Sequence, residues 1–298
     1  MLSSLASTRI GMSMARGIGR AVPRSLANGI VSLAASRFMA DPESTLMRAS
    51  RVNQWVVSGG TLTGEALDGA VRDNVRAMAR FLYDLYHTLG NIPAEDALVI
   101  RDDTFEQLLE RERASGPYVY SGVHFGNFDL VGRALGRAGW RMQLLSVADP
   151  NAGYEWQNDY RQDAGFEVTP VSLESLKQAA RRLDAGLSVL TGHDRPLLEA
   201  DKVRPRFFGR PAPMPLLHVR LAMRARVPVI AVAAPRTADG RYRLLTSDPI
   251  EMDIGPATPE RLALNAERCL APVEQWITAS PEQWAMPHAV WSDVEPPP

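Results

Sequence analysis

From residue 118 onward the hydrophobic positions switch between two periods. Short apolar runs at 118–124, 143–148, 166–171, 188–191, 227–234 and 242–246, rich in β-branched and aromatic residues, predict strands. Between them, segments near 127–138, 152–164, 172–185, 214–225 and 258–279 repeat apolar residues at the spacing of a helix face. Such alternation predicts an α/β layered fold, with a mostly parallel central sheet flanked by helices and an antiparallel strand at an edge. Upstream, Leu67, Val71, Val75, Met78, Leu82, Leu85 and Leu89 recur at helical spacing between Gly59-Gly60 and Gly90-Asn-Ile-Pro93, which predicts an amphipathic helix ahead of the sheet. Tyr83, Tyr86 and His87 on that helix fit a packed face as well as a ligand wall and receive no role. No repeat or linker interrupts the pattern, and only the tail at 295–298 reads as unstructured.

The beginning of the chain differs in charge. No acidic residue precedes Asp41, while Arg9, Arg16, Arg20, Arg24 and Arg37 interleave with Ile10, Met12, Met14, Ile18, Val22, Leu26, Ile30, Val31 and Leu33. This is a basic, amphipathic segment. It lacks the unbroken apolar run of roughly 18 residues that a membrane-spanning helix needs, and it lacks a compact signal-peptide core. Three readings fit: attachment to a membrane surface, an organelle transit peptide, or a helix packed on the core, with Pro23 breaking any single long helix.

Composition narrows the class. A chain of 298 residues builds a substantial core. A net charge of −1 argues against a nucleic-acid binder, which carries a basic excess. Cys269 is the one cysteine, so no disulfide forms within the chain, and it reads as a packing residue in a reducing compartment.

Candidate chemistry concentrates in the run Tyr118-Val-Tyr-Ser-Gly-Val-His-Phe-Gly-Asn-Phe-Asp129, where His124 ends an apolar stretch and Asp129 lies five residues on, across a Gly-Asn turn. The pattern predicts that His124 caps a strand, Asn127 is the N-cap of the next helix, and Asp129 sits in its first turn. Side chains at the C-terminal end of a strand and the start of the following helix converge on one crevice, where open α/β sheets bind ligands. A neutral imidazole removes a hydroxyl proton only when its tautomer is fixed, and a carboxylate on the other ring nitrogen fixes it. The first-turn amides of the helix offer donors for a developing negative charge. The bland alternative is a histidine that ends a strand and an aspartate that favours a helix N-terminus.

The string His-Phe-Gly-Asn-Phe-Asp-Leu-Val-Gly resembles the active-site block of bacterial lysophospholipid and lipid A type acyltransferases, the His-x4-Asp acyltransferases that include lipid A lauroyl and phosphatidylinositol mannoside acyltransferases. Further blocks resemble the same family in order: His193-Asp194-Arg195 after the strand at 188–191, then Arg206-Phe-Phe-Gly-Arg-Pro-Ala212, then the strand that ends at Arg236. Pro281-Glu-Gln-Trp284, with His288 and Trp291, resembles the C-terminal signature. Two departures stand out: Phe128 replaces a usual Trp, and Leu217, His218 and Arg226 occupy a stretch where small residues are expected.

The resemblance implies an O-acyltransferase that moves a fatty acyl group from acyl carrier protein or coenzyme A to a hydroxyl of a membrane glycolipid or lysophospholipid. His124 is then the general base and Asp129 the acid that orients it, with no resident cofactor and no metal. Implied substrate-binding residues are Asn127, Arg161, Asp194, Arg195, Arg206, Phe208, Gly209 and Arg210. By position alone, Asp194 and Arg195 start a turn, Arg161 lies on a solvated helix face, and Arg206 to Arg210 anchor a β-turn. Because a lipid-acylating enzyme must reach its substrate in the bilayer, the expected layout is an N-terminal helical membrane-surface segment (1–95) followed by one compact acyltransferase unit (96–298), peripheral on the cytoplasmic face of a bacterial inner membrane. Gly-x-Ser-x-Gly is absent, which disfavours a nucleophile-elbow hydrolase. Two other classes stay open: a catalytically inactive lipid-binding protein, and a metal-dependent phosphohydrolase built on His124 and His193-Asp194.

Overall fold

A computed structural model describes residue 17 and residues 22–150, 152–197 and 203–297; the part of the predicted basic segment before residue 22 falls almost wholly outside them. The described chain begins with α1 (Ala27–Met39), α2 (Thr45–Val57), α3 (Gly64–Thr88) and the short α4 (Ile92–Ala97). Then follow β1 (Val99–Ile100), α5 (Asp103–Ser115), β2 (Val119–Gly126), α6 (Phe128–Arg137), β3 (Gln143–Ser146), α7 (Ala152–Asp163), β4 (Glu167–Pro170), α8 (Leu173–Asp184) and β5 (Val189–Gly192). The remainder comprises β6 (Arg206–Phe207), β7 (Arg210–Pro211), α9 (Leu217–Ala225), β8 (Val229–Ala234), β9 (Tyr242–Arg243), β10 (Leu245–Thr246) and α10 (Pro259–Ala279).

The six-stranded sheet has the order β10-β8-β2-β5-β3-β4. All neighbours are parallel except β10, which pairs antiparallel with β8 at the edge. The expected mostly parallel α/β sheet is therefore present, and its helices cover both sides. β8 is buried along its whole length, as a central parallel strand must be when both faces carry helices. The apolar runs and the helical spacings beyond residue 118 became elements within about two or three residues of expectation. α2 and α5 were not anticipated; their polar faces dilute the apolar period.

α3 is the predicted amphipathic helix. Ala27, Val31 and Ala35 of α1 pack on it through Leu67, Val71, Val75, Ala79 and Tyr83. That packing leaves Leu26, Leu33 and Phe38 exposed, Leu33 at 71%. No described helix is long and apolar enough to cross a membrane.

Candidate functional site

The site forms at the C-terminal end of β2. The strand runs two residues past His124, and its last residue, Gly126, has φ +75°. A Cβ on Gly126 would lie 1.8 Å from the Ala234 carbonyl oxygen, so only glycine allows β2 to press against the end of β8 here. Asn127 caps α6, its Oδ1 accepting from the Leu130 amide at 3.3 Å, while its side-chain amide donates to the Phe81 carbonyl of α3 at 3.0 Å. The predicted strand, cap and helix therefore sit where the sequence places them.

The carboxylate on His124 is not Asp129. Nδ1 of His124 lies 2.7 Å from Oδ1 of Asp194, and the His124 backbone amide donates to both Asp194 oxygens, at 3.2 and 3.1 Å. Asp194 is fully buried and also accepts from the indole N–H of Trp284 at 2.8 Å. Burial alone would raise its pKa, but the His124 imidazole and the hydrogen bonds from His124 and Trp284 hold it below the usual carboxylate range. An ionised Asp194 keeps the proton of neutral His124 on Nδ1 and leaves Nε2 with a free lone pair.

Sheet register explains the pairing. Gly122 of β2 is the register partner of Gly192 of β5, and the His193 amide continues the ladder to the Gly122 carbonyl at 3.0 Å. His124 and Asp194 each lie two residues beyond that glycine pair, so the register brings them side by side. A third strand-like contact closes the other side: the Ala285 amide donates to the His124 carbonyl at 2.7 Å.

Asp129 points elsewhere. It forms a two-pronged ion pair with Arg161 of α7, Nε to Oδ1 at 2.7 Å and Nη2 to Oδ2 at 3.2 Å. The Arg161 guanidinium, 5.6 Å from the Phe128 ring centre, also donates to Asn158, whose side-chain amide reaches Ser146. The pair thus clamps α6 to α7, the geometry in which an arginine fork is strongest.

His124, Asn127, Phe128, Asp129, Arg161 and Arg195 line one cleft of about 240 Å³. Met78, Phe81, Leu82 and Leu85 of α3 supply its apolar wall, Tyr154 and Gln157 of α7 another side, and residues 285–288 the rim. Arg195 donates to the Tyr154 hydroxyl and lies 5.1 Å from its ring centre. His288 also lines the cleft; burial, then the nearby Arg195 and His124, lowers its pKa and keeps it neutral.

Arg206, Phe208, Gly209 and Arg210 do not line this cleft. They build the β6–β7 turn, with Phe208 at φ 49°, the Arg206 guanidinium on the Gly209 carbonyl at 2.9 Å and Arg210 against Trp55. Phe207 beside them is buried, stacked on Trp291 and edge-on to Trp284. The block therefore braces, through Trp284, the back of Asp194. Trp284, Tyr154, His288 and the α3 wall received no role from the sequence. A tryptophan in a C-terminal block far from the histidine gives no sign that its N–H reaches a buried carboxylate.

Behind the dyad lies a second histidine pair. His193 accepts from or donates to Ser121 at 2.7 Å and stacks on His218, ring centres 4.7 Å apart. His193 Nε2 and both His218 nitrogens have no hydrogen-bond partner. Burial lowers the His193 pKa to about 4 and that of His218 well below its ordinary value, so both are neutral. His124 and His193 consequently belong to different environments, and among the described residues no cluster of three or more His, Cys, Asp or Glu side chains is arranged to hold a metal ion.

The parallel α/β sheet thus holds a histidine–carboxylate couple beside an apolar-walled cleft. The family model for bacterial lipid A biosynthesis acyltransferases matches residues 71–293, and the chain belongs to that family. The match takes in most of α3, which supplies the apolar wall. No curated protein matches the chain.

Proposed function

We propose that this acyltransferase moves a fatty acyl group from a thioester, acyl carrier protein or coenzyme A, to a hydroxyl of a membrane glycolipid or lysophospholipid of the lipid A or phosphatidylinositol mannoside type. Nε2 of His124 takes the hydroxyl proton as the oxygen attacks the thioester carbonyl carbon. Asp194 holds the ring and stabilises the imidazolium that forms. The tetrahedral oxyanion then collapses, the C–S bond breaks, and the departing thiolate takes the proton back from His124. The free N–H groups at the start of α6, those of Phe128 and Asp129, have no intrahelical acceptor and offer donors to the oxyanion.

In this reading Asp129 shapes the site by fixing Arg161 and the α6–α7 wall, and Arg161 and Arg195 meet polar or anionic parts of the substrates. Met78, Phe81, Leu82 and Leu85 receive apolar chain. The N-terminal region works at the membrane surface on the cytoplasmic face of the inner membrane, with the exposed Leu26, Leu33 and Phe38 beside Arg24 and Arg37 as its lipid-facing residues. The observation that carries the reading is the His124–Asp194 couple open to an apolar cleft in a chain of this family.

The test is incubation of purified full-length protein with labelled acyl carrier protein and coenzyme A thioesters and a total lipid extract, with mass spectrometry of labelled lipid. A labelled O-acyl lipid that disappears with His124→Ala is the expected result. Absence of transfer from every donor, or transfer undiminished in His124→Ala, contradicts it.

A further inference from the structure

A second cavity, of about 530 Å³, opens between α1 and α3. Asn28, Val31 and Ser32 line it from α1, Arg76, Ala77, Arg80 and Phe81 from α3, and Arg236, Glu282 and Gln283 from the segments after β8 and before Trp284. Phe81 is its common wall with the catalytic cleft. Nothing in the acyl-transfer chemistry uses it.

Three arginines and one acid, Glu282, are in the lining, and each arginine has a carboxylate within 4 Å: Asp84 for Arg80 and Arg236, Asp73 for Arg76. Arg80 spends Nε on Asp84 at 3.0 Å and Nη1 on Asn28 at 2.9 Å. Arg76 has only a distant ion pair with Asp73, at 3.6 Å. Arg236 is held by its backbone, its amide on the Gln283 side chain at 2.6 Å and its carbonyl accepting from the same side chain at 3.0 Å. Its guanidinium makes no hydrogen bond among the described residues. The nearest acid, Asp84, is 3.7 Å from Nε, and that buried Nε is unpartnered. Asp84 itself is buried behind the cavity and occupied by Arg80 and the Tyr242 hydroxyl, which donates at 2.7 Å. The fold thus fixes the root of Arg236 tightly while leaving its donor fork unsatisfied, beside two more cations with N–H groups to spare.

From this arrangement we propose that the cavity is a binding site for a phosphate monoester, separate from the acyl-transfer cleft. A dianionic, tetrahedral group suits the N–H groups that Arg76, Arg80 and Arg236 do not use on Asp73, Asp84 and Asn28. The phosphate comes from a lipid headgroup, entering beside the exposed Leu33 of α1, or from the monoester of coenzyme A. The site stands on its own donors and does not depend on the transfer reaction.

Isothermal titration of inorganic phosphate into the full-length protein tests it, read beside Arg76→Gln/Arg236→Gln, Arg76→Gln alone and Arg195→Gln. Binding should weaken about tenfold or vanish in the double variant, weaken less in the single variant at exposed Arg76, and persist in Arg195→Gln. Competition by coenzyme A but not dephospho-coenzyme A identifies the carrier as the source. Sedimentation with phosphatidate-containing but not pure phosphatidylcholine vesicles, lost in the double variant, identifies a lipid. No phosphate binding, binding unchanged in both Arg76 variants, binding lost in Arg195→Gln, or phosphate competed by neither source overturns the proposal.

Discussion

Asp194, seventy residues from His124 in the chain, places its Oδ1 2.7 Å from Nδ1 of that histidine, while Asp129, five residues away, is committed to Arg161. Two acids that look interchangeable in the sequence therefore hold different posts. One holds the His124 ring; the other joins two helices that frame the cleft.

The ion pair of Asp129 makes its own prediction. Asp129→Asn and Arg161→Gln each leave a partly buried charge unpaired, which destabilises by about 3 kcal/mol. Because the lost contact shapes the cleft wall, we expect KM to rise more than kcat falls, and the double Asp129→Asn/Arg161→Gln variant to be more stable than the sum of the single changes. Urea unfolding and steady-state kinetics on the four proteins check both parts.

Trp284 contributes one hydrogen bond to a buried carboxylate. Trp284→Phe keeps an aromatic ring in edge-on contact with Phe207 and Trp291 while removing the indole N–H that reaches Asp194. A lost charge-assisted bond of about 2 kcal/mol should raise the Asp194 pKa and move the acid limb of the pH–rate profile upward. An unshifted acid limb would show that the indole has no hold on the dyad.

Acid sensitivity follows from His193 and His218. A histidine kept neutral by burial has a folded pKa below its ordinary 6.5, about 4 for His193, so the unfolded chain binds protons that the folded chain refuses. The stability this gives is complete above pH 6.5 and is lost as pH falls toward 4, by on the order of 3 kcal/mol for His193. His218→Leu removes two unpartnered ring nitrogens and should flatten the pH dependence without loss of stability at pH 7. Chemical unfolding at pH 7 and pH 5 reads the difference.

Gly126→Ala is the sharpest test of the frame. Its Cβ meets the Ala234 carbonyl, so β2 must leave β8 or the turn into α6 must move. We expect a loss above about 3 kcal/mol or failure to fold, measured by thermal unfolding.

The sheet and the strand–cap–helix unit at His124 were legible because they are local: β-forming runs, an Asn at the N-cap and helical spacing after it all lie within about twenty residues of sequence. The partner of His124 was not, because proximity in sequence favoured Asp129 and the deciding contact depends on which strands are neighbours. A readable signal existed: the His193-Asp194 pair follows a strand, and if that strand lies beside β2 in parallel register, Asp194 falls next to His124. For the Arg206-Phe207-Phe208-Gly209-Arg210 block the sequence left two readings open, substrate contact and an anchored β-turn. The turn does not line the cleft, and the buried ring of Phe207 anchors it into the aromatic wall behind Asp194, a contact that no local pattern reveals. α3, read as a helix that precedes the catalytic sheet, instead forms one side of the cleft.

Under the proposed mechanism Asp194, rather than Asp129, fixes the tautomer of His124 and stabilises its imidazolium. The most direct measurement is kcat for transfer of a labelled acyl group by Asp194→Asn and Asp129→Asn under identical conditions. The expected result is a fall in kcat of about a hundredfold to ten-thousandfold for Asp194→Asn with KM little changed, and a smaller fall accompanied by raised KM for Asp129→Asn. A near-normal kcat in Asp194→Asn together with a collapse in Asp129→Asn would contradict it.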